Sequence, residues 1–279
     1  MSWFDHRTLV IATQHKKEKA IAPLMEQAFS LRCTIPENLN TDVFGTFSGE
    51  VERIHDPLET ARLKGREAAR LTGADLVLSS EGSFGPHPQL FFIPFNQELI
   101  LLQDFKNNFE IWITESSTET NYASAEIERV EALHNFMRST GFPQHAIILK
   151  DRAINFNACY KGLNNETELF RAFEKLISDF GRVYAETDMR AMHNPKRMSV
   201  IEQATEKLIT RMLNVCTGCG LPGFGIVHYE GGLPCSACQI PTALPLKKIL
   251  KCHHCAYEVI ESFPSGNWAD PGHCEVCNP

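Results

Sequence analysis

Two hydrophobic rhythms alternate along the first two thirds of the chain. Short apolar runs of the kind that fill the middle of a covered sheet occur at Arg7–Thr13 (RTLVIAT), Leu76–Leu78 and His145–Lys150 (HAIILK). Between them apolar residues recur at helical spacing. A helix is expected to follow Thr13 and run to Phe29. Another is expected over Ala123–Ser139, with Ile127, Val130, Leu133, Phe136 and Met137 on one face, stopped by Gly141 and Pro143. Glu166–Phe180 buries Leu169, Phe170, Phe173, Leu176 and Ile177, and Ser199–Leu213 gives a last helix. Glu98–Leu102 and Phe109–Thr114 read as a strand pair, with turn chemistry in Asp104–Asn108. Residues 31–55 are less regular, and Val43–Gly49 alternates weakly, as a strand bent at glycine would. Helices alternating with strands, and a hairpin-like pair in the middle, predict an α/β domain with a mixed sheet over residues 1–198. A connecting helix over 199–215 and a small cysteine-rich region over 216–279 complete the expected organisation.

The best-defined unit is Asp56–Pro88. Asp56 suits a helix N-cap, Pro57 the first helical position, and Gly73 the C-terminal stop. Glu59, three residues after the cap, can close a capping box or serve as a ligand. After Leu76–Leu78 comes the polar run Ser79-Ser80-Glu81-Gly82-Ser83-Phe84-Gly85-Pro86-His87, read as a loop at a strand's carboxyl end. Ligands of open α/β sheets bind at such ends. Glu81, beside two glycines, has no evident packing task, whereas His87 between two prolines can also serve only to stiffen the loop.

Charge narrows the possible partners. The 279 residues carry a net charge of −7, which gives no general attraction for nucleic acid or an anionic membrane. No segment has the length and apolarity of a membrane span, and the amino terminus lacks a signal-peptide layout, so a cytoplasmic location is expected. Cations are nonetheless concentrated in two places. Lys16, Lys17 and Lys19 follow the first strand, and Arg190, Lys196 and Arg197 lie in the stretch Asp188–Arg197 with His193. Arginine offers phosphate a bidentate fork and lysine a point charge. A solvated first helical turn and a basic loop capping the next helix are the plain alternatives.

Eight of the ten cysteines fall in the last 64 residues, as four CxxC pairs. Cys216 and Cys219 precede Cys235 and Cys238; Cys252 and Cys255 precede Cys274 and Cys277. The gaps of 15 and 18 residues fit a zinc signature, and paired spacing without a secretion signal favours metal over disulfides. Sequential pairing, 216/219 with 235/238 and 252/255 with 274/277, is the expected arrangement, with a cross-braced pairing as the alternative. Four thiolates leave no open position, so two structural zinc sites are expected, though such sites also take iron. The region carries three lysines against five carboxylates, which weakens a nucleic-acid role and leaves a protein partner as the more natural one. Cys33 and Cys159 stand alone and are expected to be buried, inert thiols.

Two resemblances follow from these motifs. The run Ala12-Thr13-Gln14-His15, the helix segment Glu59-Thr60-Ala61-Arg62-Leu63-Lys64, Glu81-Gly82-Ser83 and the later basic stretch resemble, in order, the inosine triphosphate pyrophosphatase and Maf-like nucleotidases. That resemblance implies an α/β fold of that kind and a nucleotide substrate. It departs from the family at His15, Glu18, Thr60 and the reduced acidic pair. The combination SEGSFGPHP, DMRAMHNPKRM and the four-CxxC tail resembles, over the whole chain, an uncharacterised bacterial family known as a domain of unknown function.

Three functional readings result. In one, the protein is a Mg²⁺-dependent nucleotide or phosphoanhydride hydrolase. Glu59 and Glu81 hold the metal, Lys17, Lys19, Ser83, Arg190, Lys196 and Arg197 hold phosphate, and His87 or His193 moves a proton. In the second, the same pocket binds a nucleotide or phosphorylated ligand without turnover, and the zinc modules dock a partner. In the third, the protein is purely structural or an interaction protein, with a degenerate pocket and the zinc modules as its working surface.

Overall fold

The structure, a computed structural model, describes residues 3–45, 51, 54–262 and 266–279. Two compact units divide the chain: residues 1–108 with 112–208, and residues 109–111 with 209–279.

The first unit is built on two sheets. One holds β1 (Thr8–Ala12), β2 (Arg32–Thr34), β3 (Leu76–Pro86), β4 (Pro94–Asp104) and β5 (Phe109–Ser117), in the order β2-β1-β3-β4-β5. β1 runs parallel to β2 and β3, whereas β3 and β4 form an antiparallel hairpin. The sheet is therefore mixed, as the alternating pattern predicts. Helices α1 (Glu18–Ala28) and α2 (Pro57–Thr72) connect its parallel strands. Asp56 accepts from the amides of Leu58 and Glu59, and Gly73 ends α2 in the left-handed region at φ 70°. Leu9, Ile11, Leu76, Leu78, Ile100 and Leu102 are inaccessible or nearly so and form the sheet's centre.

The second sheet holds β6 (Ser124–Ile127), β7 (Ile147–Lys150), β8 (Cys159–Leu163) and β9 (Val183–Thr187), in the order β6-β9-β7-β8 with every pair antiparallel. Helices α3 (Val130–Thr140) and α4 (Glu166–Phe180) bury Leu133, Phe136, Leu169, Phe173 and Leu176 against Ile147, Leu149, Val183 and Ala185. Helix α5 (Pro195–Leu213) carries the chain into the second unit.

Several expectations are corrected. The polar run after Leu78 is no loop: β3 continues to Pro86, paired residue by residue with β4 from Leu76↔Asp104 to Pro86↔Pro94. Its backbone groups are satisfied by that ladder, and its buried charges by partners from distant elements, neither of which is visible in local polarity. The front of the supposed 123–139 helix is β6, because β9 supplies partners from Ser124↔Glu186 to Ile127↔Val183. The strands β2, β8 and β9 were not anticipated. Asp42–Phe44 is a 3₁₀ turn, and the rest of the weakly alternating Val43–Gly49 segment, residues 46–49, lies outside the described residues. The connecting helix begins at Pro195, so Lys196 and Arg197 lie in its first turn.

The second unit contains a three-stranded antiparallel meander, β10 (Gly225–Gly231), β11 (Pro245–Lys251) and β12 (Glu258–Ser262). No helix of the chain is long and apolar enough to cross a membrane, among the described residues.

Candidate functional site

β1 stops at Ala12, opposite Ser79, while β3 runs on for seven residues. The chain leaving β1 turns aside there, and the step opens a cleft. Thr13, Gln14, His15 and Lys17 line it from the turn into α1, Thr41 and Asp42 from the 3₁₀ turn, and Lys64 from α2. Ser80 and Glu81 come from β3, Ile148 from β7, Lys161 from β8, and Arg190 from the segment after β9.

Cations dominate this lining. Lys17 is 6% exposed; its ammonium donates to Ser80 Oγ at 2.9 Å and to the Ser80 carbonyl at 3.4 Å. No carboxylate lies within ion-pair distance of it among the described residues. Burial, followed by the charge of Arg197, brings its pKa down to about 7. Lys64 forms a buried ion pair with Glu81. Arg190 forks onto the fully buried Asp188, with Nη2–Oδ2 at 2.6 Å and Nε–Oδ1 at 3.0 Å. Asp188 also accepts from the amides of Gly162 and Arg190, so the guanidinium is oriented by a fixed carboxylate. His15 is pushed down to about 3 by burial and by Lys17, Arg197, Arg190 and Lys64, and is a neutral ring at physiological pH.

Of the residues singled out from sequence, Lys17, Glu81 and Arg190 share this cleft. His193 borders it. Its Nε2 and the Arg190 Nη2 both crowd Gly162, whose φ of +70° and lack of a Cβ permit the approach. The remaining residues are not brought to the cleft. Glu59 is half-exposed and pairs with Arg62 and Arg66, each at 3.3 Å; it closes no capping box and is not among the residues lining the cleft. His87 sits in the tip of the β3–β4 hairpin, where its Nδ1 accepts from the amides of Gln89 and Leu90. Lys19 is exposed on α1, and Ser83 lies opposite Gln97 along the hairpin. Lys196 is exposed beside Ser199, in a separate depression with Ser117–Thr120. Arg197 is fully buried against Glu98, with Nε–Oε1 at 2.7 Å, and also donates to the Met189 carbonyl; it is a structural cation.

Lys64, Lys161 and Asp188 line or support the cleft and were not singled out. Lys64 had a readable signal. It falls on the same helical stripe as Thr60, Ala61 and Ala68, where a buried lysine implies a buried partner. Asp188 opens the polar stretch that holds Arg190 and reaches it two residues on, whereas Lys161 had no signal, since only strand pairing brings it near.

The Mg²⁺ site expected from Glu59 and Glu81 does not fit these residues. Glu81 is engaged by Lys64, Glu98 by Arg197 and Asp188 by Arg190, and Glu59 pairs with Arg62 and Arg66. Among the described residues, the groups of three or more metal-type side chains within 4.8 Å of one another are two sets of cysteines.

Those sets correct the expected pairing. Cys216 and Cys219 meet Cys252 and Cys255, whereas Cys235 and Cys238 meet Cys274 and Cys277. The meander is the reason. β10 carries the chain away from Cys219, β11 returns it beside the start of β10, with Gly225↔Lys251, and β12 carries it away again. Seven extended residues span about 20 Å, so consecutive knuckles lie at opposite ends and alternate knuckles at the same end. Between knuckles, Sγ–Sγ separations are 3.8 Å (Cys216–Cys255), 3.6 Å (Cys219–Cys252), 3.8 Å (Cys235–Cys277) and 3.6 Å (Cys238–Cys274). Four sulfurs placed tetrahedrally about 2.3 Å from an ion stand about 3.8 Å apart. Backbone amides support the sulfurs: Gly218 N lies 3.3 Å from Cys216 Sγ, and His254 N 3.3 Å from Cys252 Sγ. Burial opposes ionisation of Cys216, but the amides of Cys219 and Gly218, together with the thiols of Cys252 and Cys255, bring it down to about 7. Each group could therefore hold a metal ion. Cys33 is half-buried rather than buried, its thiol pushed up to about 12 by burial and Glu26; Cys159 is also half-buried.

Fold and sites define a mixed α/β protein with a cysteine module of two interleaved four-sulfur groups. The chain belongs to the family described as domain of unknown function (DUF6671), which it matches over residues 64–279. That match takes in Lys64, Glu81, Arg190 and all eight paired cysteines. No curated protein matches the chain.

Proposed function

We propose that this is a zinc-binding protein of the cytoplasm whose α/β unit binds a phosphorylated small molecule, with a nucleotide the first candidate. The observation that carries the ligand reading is Lys17, a buried ammonium without a carboxylate partner among the described residues, in a cleft it shares with Lys64, Lys161 and Arg190. A buried charge is unfavourable when its nearest opposite charges, here Glu98 and Glu81, act only from a distance, and an anionic ligand supplies a closer counter-charge. The motif order shared with the nucleotidases supports a nucleotide. Among the described residues the cleft is lined by two carboxylates, Asp42 and Glu81, and the engagement of Glu81 by Lys64 favours binding over metal-assisted hydrolysis. For the cysteine groups, closed four-thiolate coordination and a reducing compartment favour structural zinc. In the module, Lys247, Lys248 and Lys251 are each paired with a glutamate, which favours a protein partner over nucleic acid.

The test is a thermal-shift and calorimetric screen with inorganic phosphate, pyrophosphate and nucleotides, alongside metal analysis. Saturable stabilisation without release of product, and two zinc ions per chain, are expected. Absence of binding by every phosphate compound would refute the ligand reading.

Replacing Lys17 by methionine is expected to abolish phosphate binding while stabilising the ligand-free protein at low pH. The folded-state pKa of about 7 lies below the ordinary 10.5. Between these values the unfolded chain binds more protons, so stability rises with pH, and the cost of burying the ammonium is full only below about 7. The gain in Lys17→Met should therefore shrink as pH rises from about 7 to 10.5. Phosphate binding by the native protein should weaken over the same rise. Melting curves of both proteins at several pH values provide the check.

A further inference from the structure

We infer that the Lys64 ammonium stands at Glu81 in the place a divalent cation would take, so that the cleft holds a phosphoryl group directly, without a metal bridge. This rests on the phosphorylated-ligand reading above and names the form of ligand accepted: a free phosphomonoester or short phosphate, rather than a magnesium–triphosphate complex.

The assignment starts from the carboxylates. Mg²⁺ in phosphate sites is held by one or two carboxylates, in near-octahedral geometry, with waters and phosphate oxygens completing the shell. Here Glu81 is 3% exposed and ion-paired with an ammonium that reaches it from the buried stripe of α2. The other buried carboxylates nearby are held by guanidinium groups: Glu98 by Arg197, itself wholly buried, and Asp188 by Arg190. Glu59 is committed to two arginines elsewhere on its helix. A divalent ion entering the cleft would displace Lys64 and meet Lys17 and Arg190 in surroundings where charge is poorly screened.

Those same cations suit a phosphate without an intermediary. Lys17 presents a compact charge hydrogen-bonded to a serine hydroxyl and a carbonyl, with Glu98 and Glu81 acting on it from beyond ion-pair distance. The Arg190 fork is oriented by Asp188. Arginine in a fixed plane and lysine as a point charge are the usual direct ligands of phosphate oxygens. A nucleoside triphosphate carrying Mg²⁺ has part of its charge already neutralised and would bring a cation among cations.

The experiment is calorimetric titration of the full-length, metal-loaded protein with inorganic phosphate, pyrophosphate and ATP, each in buffer freed of Mg²⁺ without added chelator and in excess Mg²⁺. Phosphate should bind with a dissociation constant that differs by less than about twofold between the two conditions, and ATP should bind more weakly when Mg²⁺ is present. Tightening of either by Mg²⁺ of tenfold or more, the equivalent of about 1.4 kcal/mol, overturns the inference while leaving the phosphate-binding reading intact. Failure of phosphate, pyrophosphate and ATP to bind under both conditions overturns that underlying reading and the inference with it. In Lys64→Met, Glu81 loses its ammonium, and Mg²⁺ should now tighten phosphate binding. A cooperatively melting Lys64→Met protein whose phosphate affinity still ignores Mg²⁺ overturns the role given to Lys64. Where that variant fails to melt cooperatively, the wild-type titrations decide.

Discussion

Exchanging Cys219 and Cys252 together for serine should remove one of two metal ions, whereas exchanging Cys219 and Cys235 together should compromise both. The first pair shares a four-sulfur group and the second pair spans the two groups. Sequential pairing of the knuckles predicts the reverse, so metal content per chain distinguishes the arrangements directly. The structural effect should be large. Binding of a structural zinc ion by four thiolates contributes roughly 10–16 kcal/mol in small domains, as much as a typical domain's whole stability of about 5–15 kcal/mol. Outside its cysteines, the module's exposed apolar side chains include Ile226, Val227, Tyr229, Ile260, Trp268 and Val276, so its apolar core is small. Chelation of both ions in the full-length protein should therefore unfold the region from Cys216 onwards. The readouts are rapid proteolysis there and loss of its dispersed NMR signals, with Leu76–Leu78 and their neighbours still protected. A module that kept its protection without metal would sink the structural role.

The second large effect lies beneath the cleft. Glu98 and Arg197 are wholly inaccessible and hydrogen-bonded at 2.7 and 3.2 Å. Removing one partner of such a pair leaves an uncompensated buried charge, at a cost of about 3–5 kcal/mol. Glu98→Ala should destabilise the protein by that amount in urea denaturation. Glu98→Leu combined with Arg197→Met should cost less, because no charge is left stranded. Gly82 sits over the same pair. A Cβ there would stand 2.3 Å from Arg197 Nη2 and 2.6 Å from Glu98 Oε1, so Gly82→Ala should approach the effect of Glu98→Ala. Equal stability of Gly82→Ala and the native protein would mean that the pair yields without loss. The glycine that sequence reading associated with a loop is there because two long side chains cross the strand at that point.

These two cases show what local pattern could and could not convey. Helix α2 was readable because its signals are local: Asp56 capping, Pro57 at the first position and Gly73 at the stop all act within a few residues. Helix α4 matched its apolar stripe from Glu166 to Phe180 for the same reason. β3 was cut short at Leu78 because the serines and Glu81 are polar, and polarity suggests a loop unless a distant partner neutralises it. The partners are Lys64, fifteen or more residues earlier, and the whole length of β4. Ser124–Ile127 was absorbed into a helix because its few apolar residues suit either periodicity, and only pairing with β9 decides for strand. Among the basic residues, Lys17, Arg190 and Arg197 are alike by composition. Burial separates them: the first lacks a carboxylate among the described residues, the second is aimed by Asp188, and the third is consumed by Glu98.

From its amino acids alone this chain was committed to an α/β unit, to several well-capped helices, and to eight thiols set in pairs that could hold metal. Each of those depends on spacings of two to four residues, which the backbone enforces without help. Which knuckle faces which, which carboxylate is already neutralised, and which ammonium is left facing a cleft were settled by strand reversal and by contacts between residues up to a hundred positions apart. Such contacts are set by the geometry of packed sheets, and that geometry has no local signature.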